Sequence, residues 1–218
     1  MGKPVLLVVG AGPGVGGSVA RRFGRDGYDA LLIGLHESVL DELGQALRSE
    51  GVDARWSPVD ITDGQAFSAA VTELGETAGR IDVLHFNPSA FRQKSPLELT
   101  PEELAADVTL GVGALLTAVQ AARPFMSAGG RVTATGSMAA DKPWNEAASL
   151  GVQKAGLRNL VRSIDTTLKP DGIRAVSVTV RGTLGREGAF TPDRVAEAVF
   201  AAAGQDEDEW RIEVPYEG

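Results

Sequence analysis

Short apolar runs alternate along the chain with longer segments in which apolar positions recur at helical spacing. The runs predict strands at Val5–Val9, Ala30–Gly34, Ala54–Pro58, Val83–Phe86, Arg131–Thr135 and Arg174–Thr179, with a weaker seventh near Arg211–Val214. The periodic segments predict helices over Gly14–Arg25, Val39–Glu50, Gly64–Ala78, Glu102–Met126, Glu146–Leu168 and Pro192–Ala203. Thr100, Pro101 and Glu103 supply an N-cap, a first-turn proline and an acid at one helix start. Short β-rich runs alternating with segments of helical period belong to a parallel sheet covered on both faces. The expected fold class is therefore α/β, a doubly wound parallel sheet of about seven strands in a single domain.

Composition narrows the chemistry. The 218 residues are 43% hydrophobic, enough for one well-buried core. A formal charge of −8 with no basic run gives no attraction to nucleic acid or to an anionic membrane, and neither is an expected partner. Without cysteine there is no disulfide or thiolate chemistry, and two histidines make no metal cluster, so redox work requires a borrowed cofactor. The N-terminal apolar run passes directly into glycines with no cleavage signal, so the expected location is cytoplasmic. Asp206–Glu209 is expected to be a solvated acidic loop.

The first predicted strand leads into Gly10-Ala11-Gly12-Pro13-Gly14-Val15-Gly16-Gly17-Ser18, after which a helical pattern begins. Glycine at 10, 14 and 16 suits a tight turn, a close backbone approach to a pyrophosphate, and a helix whose free N–H groups face the phosphates. The expected dinucleotide-binding positions here are Gly10, Gly12, Gly14, Val15 and Gly16. At the end of the second strand, an acid would accept a ribose 2′-hydroxyl and an arginine would bind a 2′-phosphate. This chain has Gly34-Leu35-His36. Without the acid a 2′-phosphate is not repelled, and His36 is placed to reach it, so NADP is expected in preference to NAD. An exposed loop role for His36 is equally consistent.

The Gly10…Gly14…Gly16 spacing resembles the glycine motif of the short-chain dehydrogenases/reductases, and further segments resemble that family in order and spacing. Asp60-Ile61-Thr62-Asp63 is similar to its Asp-Val-Thr-Asp, which places Asp60 and Ile61 on the adenine side. Leu84-His85-Phe86-Asn87-Pro88-Ser89-Ala90 occupies the place of its Asn-Asn-Ala-Gly, keeping Asn87. Gly182-Thr183 stands where the family has Pro-Gly, with Arg181 in place of the proline. The resemblance implies a Rossmann fold over almost the whole chain and cofactor contacts at Asn87, Gly182 and Thr183.

By the same resemblance, Ser137 falls on the catalytic serine and Leu150-Gly151-Val152-Gln153-Lys154 on the family's Tyr-x-x-x-Lys. The resemblance implies that Lys154 holds the nicotinamide ribose, while Leu150, four positions earlier on the same helix face, offers no phenol. The only tyrosines, Tyr28 and Tyr216, are not expected at the site. The family's helix asparagine aligns with Thr109. Ser137 and Lys154 are thus the expected catalytic residues, and the proton must come from elsewhere, with Asp141, Asn145, Glu146, Arg92 and Lys94 as candidates. The stretch from Gly182 to Pro192 is also short for a substrate lid. The glycine loop, Lys154–Arg158 and Trp210…Glu213…Pro215…Glu217 together resemble an atypical branch lacking the tyrosine.

Three activities remain open: an NAD(P)-dependent oxidoreductase acting on a small carbonyl or alcohol, a non-redox enzyme such as a dehydratase, isomerase or cyclase, and a dinucleotide-sensing protein without turnover. The alanine-rich helices, with Ala114, Ala118 and Ala121, also suggest a homodimer or homotetramer.

Overall fold

The computed structural model describes residues 2–218. Seven parallel strands form one sheet in the order β3-β2-β1-β4-β5-β6-β7. They are β1 (Val5–Val9), β2 (Asp29–Gly34), β3 (Ala54–Pro58), β4 (Val83–Phe86), β5 (Arg131–Ser137), β6 (Arg174–Val180) and β7 (Glu213–Tyr216). Every residue of β1, β4 and β6 is buried, as strands sandwiched between two helical layers require. The helices are α1 (Val15–Arg25), α2 (Glu37–Ser49), α3 (Gly64–Ala78), α4 (Pro101–Val108), α5 (Ala114–Ala122), α6 (Ala148–Leu168) and α7 (Pro192–Ala203).

Two apolar clusters hold this single α/β domain together. One face of the sheet buries Leu7, Leu84 and Val132 against Phe67 of α3, Leu115 of α5 and Leu157 of α6. The other buries Leu6, Val8 and Val178 against Phe23 of α1, Leu40 of α2 and Val199 of α7. The chain reverses its direction of winding between β1 and β4, and ligands of such sheets sit in the crevice beyond the strand ends at that point.

Three expectations need correction. The predicted helix Glu102–Met126 is interrupted: α4 opens on a Thr100–Glu103 capping box, a π turn covers Thr109–Gly113, and α5 follows. Gly111 and Gly113 weaken the helix locally, and Gly111 presses against α6, so the wider turn is stabilised by packing. The whole stretch Pro101–Phe125 is long and apolar enough to cross a bilayer by composition, yet Leu115, Ala118 and Ala122 of α5 lie in the core. Ala114, Ala118 and Ala121, expected between copies, are buried inside the domain. β7 begins two residues later than predicted, because Trp210 is drawn inward: its Nε1 donates to the Ala175 carbonyl, and Arg131 and Arg174 stack on its ring. The acidic stretch is a short 3-10 turn in which Glu207 pairs with Arg131 and Arg174.

Candidate active site

The glycine loop closes the crevice at the end of β1. Gly10 has φ +81°, and its N–H and that of Ala11 both donate to the Ile33 carbonyl at 2.9 Å, tying the loop to the end of β2. A Cβ on Gly16 would stand 2.5 Å from the Gly10 carbonyl oxygen, and one on Gly17 would stand 2.3 Å from that of Gly12. Those two glycines serve the fold of the loop. Gly12 and Gly14 differ: a Cβ at either would meet nothing within 4 Å. Gly14 is the N-cap of α1 and brings no side chain to the first-turn N–H groups, leaving an open cradle at the positive end of a helix.

Gly14 and Val15 form one wall of a cavity of about 510 Å³. The remaining walls come from the ends of β4, β5 and β6 and from α6: Asn87, Pro88, Ser89, Thr135, Gly136, Ser137, Leu150, Lys154, Val180, Gly182 and Leu184. Asn87 Oδ1 accepts from the Thr135 hydroxyl at 2.9 Å, and its Nδ2 donates to the Gly10 carbonyl at 3.4 Å, linking the two halves of the crevice. Behind them His85 is fully buried between Thr133 Oγ1 at 2.9 Å and Thr135 Oγ1 at 3.3 Å. Burial, followed by the charge of Lys154, pushes His85 down to about 3, so the ring is neutral.

Lys154 is 5% exposed, and its Nζ donates to the Thr135 carbonyl at 2.8 Å. Among the described residues no carboxylate forms an ion pair with it. Desolvation therefore lowers the ammonium to about 8. Ser137 is half-buried, and its Oγ accepts from Ala139 N–H at 3.2 Å while facing the same cavity. Leu150 stands one helical turn before Lys154 and presents an apolar wall.

The cavity thus brings together Gly14, Val15, Asn87, Ser137, Lys154 and Gly182 of the predicted residues, with Gly10, Gly12 and Gly16 as the loop behind them. The others do not line it. His36 is the exposed N-cap of α2, and Thr183 is exposed beyond Gly182. Asp60 is exposed; Thr62 donates to its Oδ1 from both hydroxyl (2.7 Å) and N–H (2.9 Å), which holds the carboxyl below its usual range. Ile61 packs against the core.

The candidate proton donors are otherwise engaged or turned away. Asp141 pairs with Arg158 at 2.7 Å, Arg92 with Asp107 at 3.0 Å, and Lys94 with Glu103 at 2.6 Å. Asn145 and Glu146 are exposed in a 3-10 turn. Tyr28 packs edge-on against Phe23, and the Tyr216 hydroxyl donates to the Ala189 carbonyl at 2.6 Å, strapping down the short segment after β6. Thr109 is exposed, with its hydroxyl bonded to the Ala105 carbonyl. The inward position at the helix break is Gly111, which faces Gln153. Gln153 and His85 are buried, hydrogen-bonded polar positions behind the cavity that the pattern of apolar residues does not single out. The signal was there, since each is a polar residue where helix or strand periodicity points to the interior.

The chain belongs to the short-chain dehydrogenase family, whose model, described as short chain dehydrogenase, matches residues 4–185. A cis-4-hydroxycyclohexanecarboxylate dehydrogenase from Sinomonas cyclohexanicum is 30% identical over 178 residues, covering 80% of this chain and 71% of the relative. An L-2,3-butanediol dehydrogenase from Corynebacterium glutamicum is 27% identical, covering 83% and 72%. Among solved structures, a short chain dehydrogenase from Burkholderia cenocepacia in complex with NADP superposes with a TM-score of 0.91 at 25% identity, covering 99% of this chain and 96% of that one. A blue fluorescent protein from a metagenomic library in complex with NADPH gives 0.90 at 25% identity, covering 100% and 97%.

Proposed function

We propose that this protein is an NADP(H)-dependent oxidoreductase that acts on a small carbonyl or alcohol, with Lys154 taking the proton-transfer role that a tyrosine at position 150 would have filled. The observation that carries the reading is the open cradle at Gly14, which shares one cavity with Ser137 and Lys154. When bound, the dinucleotide supplies or accepts the hydride. The first turn of α1 receives the pyrophosphate. His36, the N-cap of α2 just after β2, where Gly34 and Leu35 bring no acid, would hold the 2′-phosphate, and Asp60 and Ile61 would bound the adenine side. The NADP and NADPH held by the two solved relatives support this preference.

At the reacting centre, the Ser137 hydroxyl donates to the substrate oxygen and polarises it. Lys154 acts twice, its ammonium both holding the ribose and delivering a proton to the developing alkoxide. It is the one titratable side chain lining the cavity among the described residues. An amine near 8 is well matched to proton exchange close to neutral pH. Leu150, Leu184, Pro88 and Val180 make the remaining walls apolar, which favours an uncharged substrate. The reading includes a homodimer or homotetramer paired through α5 and α6, where Leu116 and Val152 stand exposed.

The test is calorimetry with NADP⁺ and NAD⁺ followed by nicotinamide absorbance with a panel of aldehydes, ketones and alcohols. Tighter binding of NADP⁺ and turnover of at least one panel member are expected; no binding of either dinucleotide overturns the reading. Leu150 in place of a phenol also supports a second reading, a dinucleotide sensor, which predicts binding with no turnover anywhere in the panel.

A further inference from the structure

Gln153 is completely buried on α6, one residue before Lys154. Its Oε1 accepts from Ala90 N–H at 2.9 Å and its Nε2 donates to the Ala90 carbonyl at 3.0 Å, so one side chain satisfies both polar groups of a single backbone residue. Ala90 needs such a partner because the chain has left the sheet after β4. The amide fits only because Gly111 lies opposite: a Cβ there would stand 2.5 Å from Gln153 Oε1 and 3.1 Å from its Cβ. Gly111 sits in the π turn between α4 and α5, so that break in the helix presents a bare backbone to α6. The segment held in this way supplies Asn87, Pro88 and Ser89 to the cavity, and Pro88 in turn backs the left-handed Gly10, with 3.0 Å between its ring and a Cβ placed there.

We propose that Gln153 is a positioning residue: with Gly111 it forms a lock that fixes the segment from Asn87 to Ala90 against α6 and so sets the wall of the cavity. The lock stands on its own geometry; its consequence for the cofactor rests on the NADP reading. A leucine at 153 would keep the volume while leaving the Ala90 N–H and carbonyl without partners. Those groups would then be satisfied only by moving the segment towards solvent.

Gln153→Leu, Gln153→Glu and Gly111→Ala, each measured by backbone amide exchange in the dinucleotide-free protein and by NADP⁺ calorimetry well below Tm, test this. In Gln153→Leu we expect Ala90 exchange to quicken and NADP⁺ affinity to fall, each about tenfold, the scale of one unpaired buried group. The glutamate, kept protonated by burial, can accept from Ala90 N–H and donate its O–H to the Ala90 carbonyl, so its effect is smaller than leucine's and grows as rising pH ionises it, and it replaces the leucine variant if that one does not fold. Gly111→Ala should mimic Gln153→Leu, and the double variant should be no worse than either alone. A residue that merely fills the core would lower Tm and leave both readouts within twofold of the parent, which overturns the proposal. Fully additive effects overturn the pairing with Gly111. If the parent protein does not bind NADP⁺, the NADP reading fails and amide exchange alone decides the lock.

Discussion

Replacing Lys154 by methionine should make the protein more stable and weaken its hold on the cofactor. The ammonium is buried with one hydrogen bond and no carboxylate, and its pKa falls from 10.5 to about 8. At about 1.4 kcal/mol per pH unit, holding the charge in that place costs the fold about 3 kcal/mol wherever both states are protonated, which is below pH 8. Methionine removes that cost and also the bond to Thr135, which at about 2 kcal/mol for a charged donor leaves a net gain of about 1 kcal/mol. For a domain of this size the gain corresponds to about 3 °C in Tm.

The pH dependence gives a sharper sign. Between about pH 8 and 10.5 the unfolded lysine keeps its proton while the folded one loses it, so parent stability rises with pH relative to the methionine variant. By about pH 10 the penalty has shrunk to under 1 kcal/mol, a swing of about 2 kcal/mol between the two proteins that does not depend on the lost hydrogen bond. Urea unfolding of both proteins without dinucleotide at neutral pH and near pH 10 measures it. A constant difference across that range would refute the buried, unpaired ammonium and the proton role built on it.

Three further outcomes follow from the same site. His85, held neutral at about 3 by burial, should make the protein lose stability as pH falls below 6.5, because the unfolded ring takes up a proton that the folded ring does not; by pH 5 the loss is about 2 kcal/mol and should vanish in His85→Asn, as read by denaturant midpoints. Leu150→Tyr sets a phenol one turn from Lys154 in the same cavity and should raise turnover of any accepted carbonyl by about 10²-fold or more, checked by nicotinamide absorbance; an unchanged rate would show that proton transfer is not limiting. Gly16→Ala should destabilise strongly, since its Cβ would stand 2.5 Å from a backbone carbonyl, and thermal unfolding checks it.

Where the sequence was legible, the reason is burial. β1 is an unbroken apolar run, and β4 and β6 are apolar apart from His85 in β4 and Arg174, Ser177 and Thr179 in β6, because both faces of the sheet are covered, and the pattern marks them within a residue or two. The loop glycines were visible because a tight turn beside a helix start leaves few other residues possible. What stayed hidden depends on contacts between distant segments. Gly111 and Gly113 mark a weak point in the helix, but the π turn over Thr109–Gly113 also depends on a distant partner, since Gly111 packs against Gln153 of α6. Thr109, aligned by resemblance with the family's helix asparagine, stands exposed with its hydroxyl bonded to the Ala105 carbonyl. The late start of β7 follows from Trp210 seeking the Ala175 carbonyl, a partner on another strand. Ser137 and Lys154 are legible as a pair, but the isolation of Lys154 from any carboxylate is not, because it depends on Asp141, Glu103 and Asp107 pairing with arginine or lysine elsewhere in the fold.

The central claim is that the Gly14 cradle receives the dinucleotide phosphates, and calorimetric titration of NADP⁺ into the parent protein and Gly14→Ala tests it most directly. A Cβ at Gly14 meets nothing within 4 Å, so the variant should fold, losing only the small preference for glycine over alanine at the N-cap of α1. The parent should bind NADP⁺ saturably and the variant at least about tenfold more weakly, a loss of about 1.4 kcal/mol. Equal affinity in the two proteins, or no binding to the parent, would contradict it.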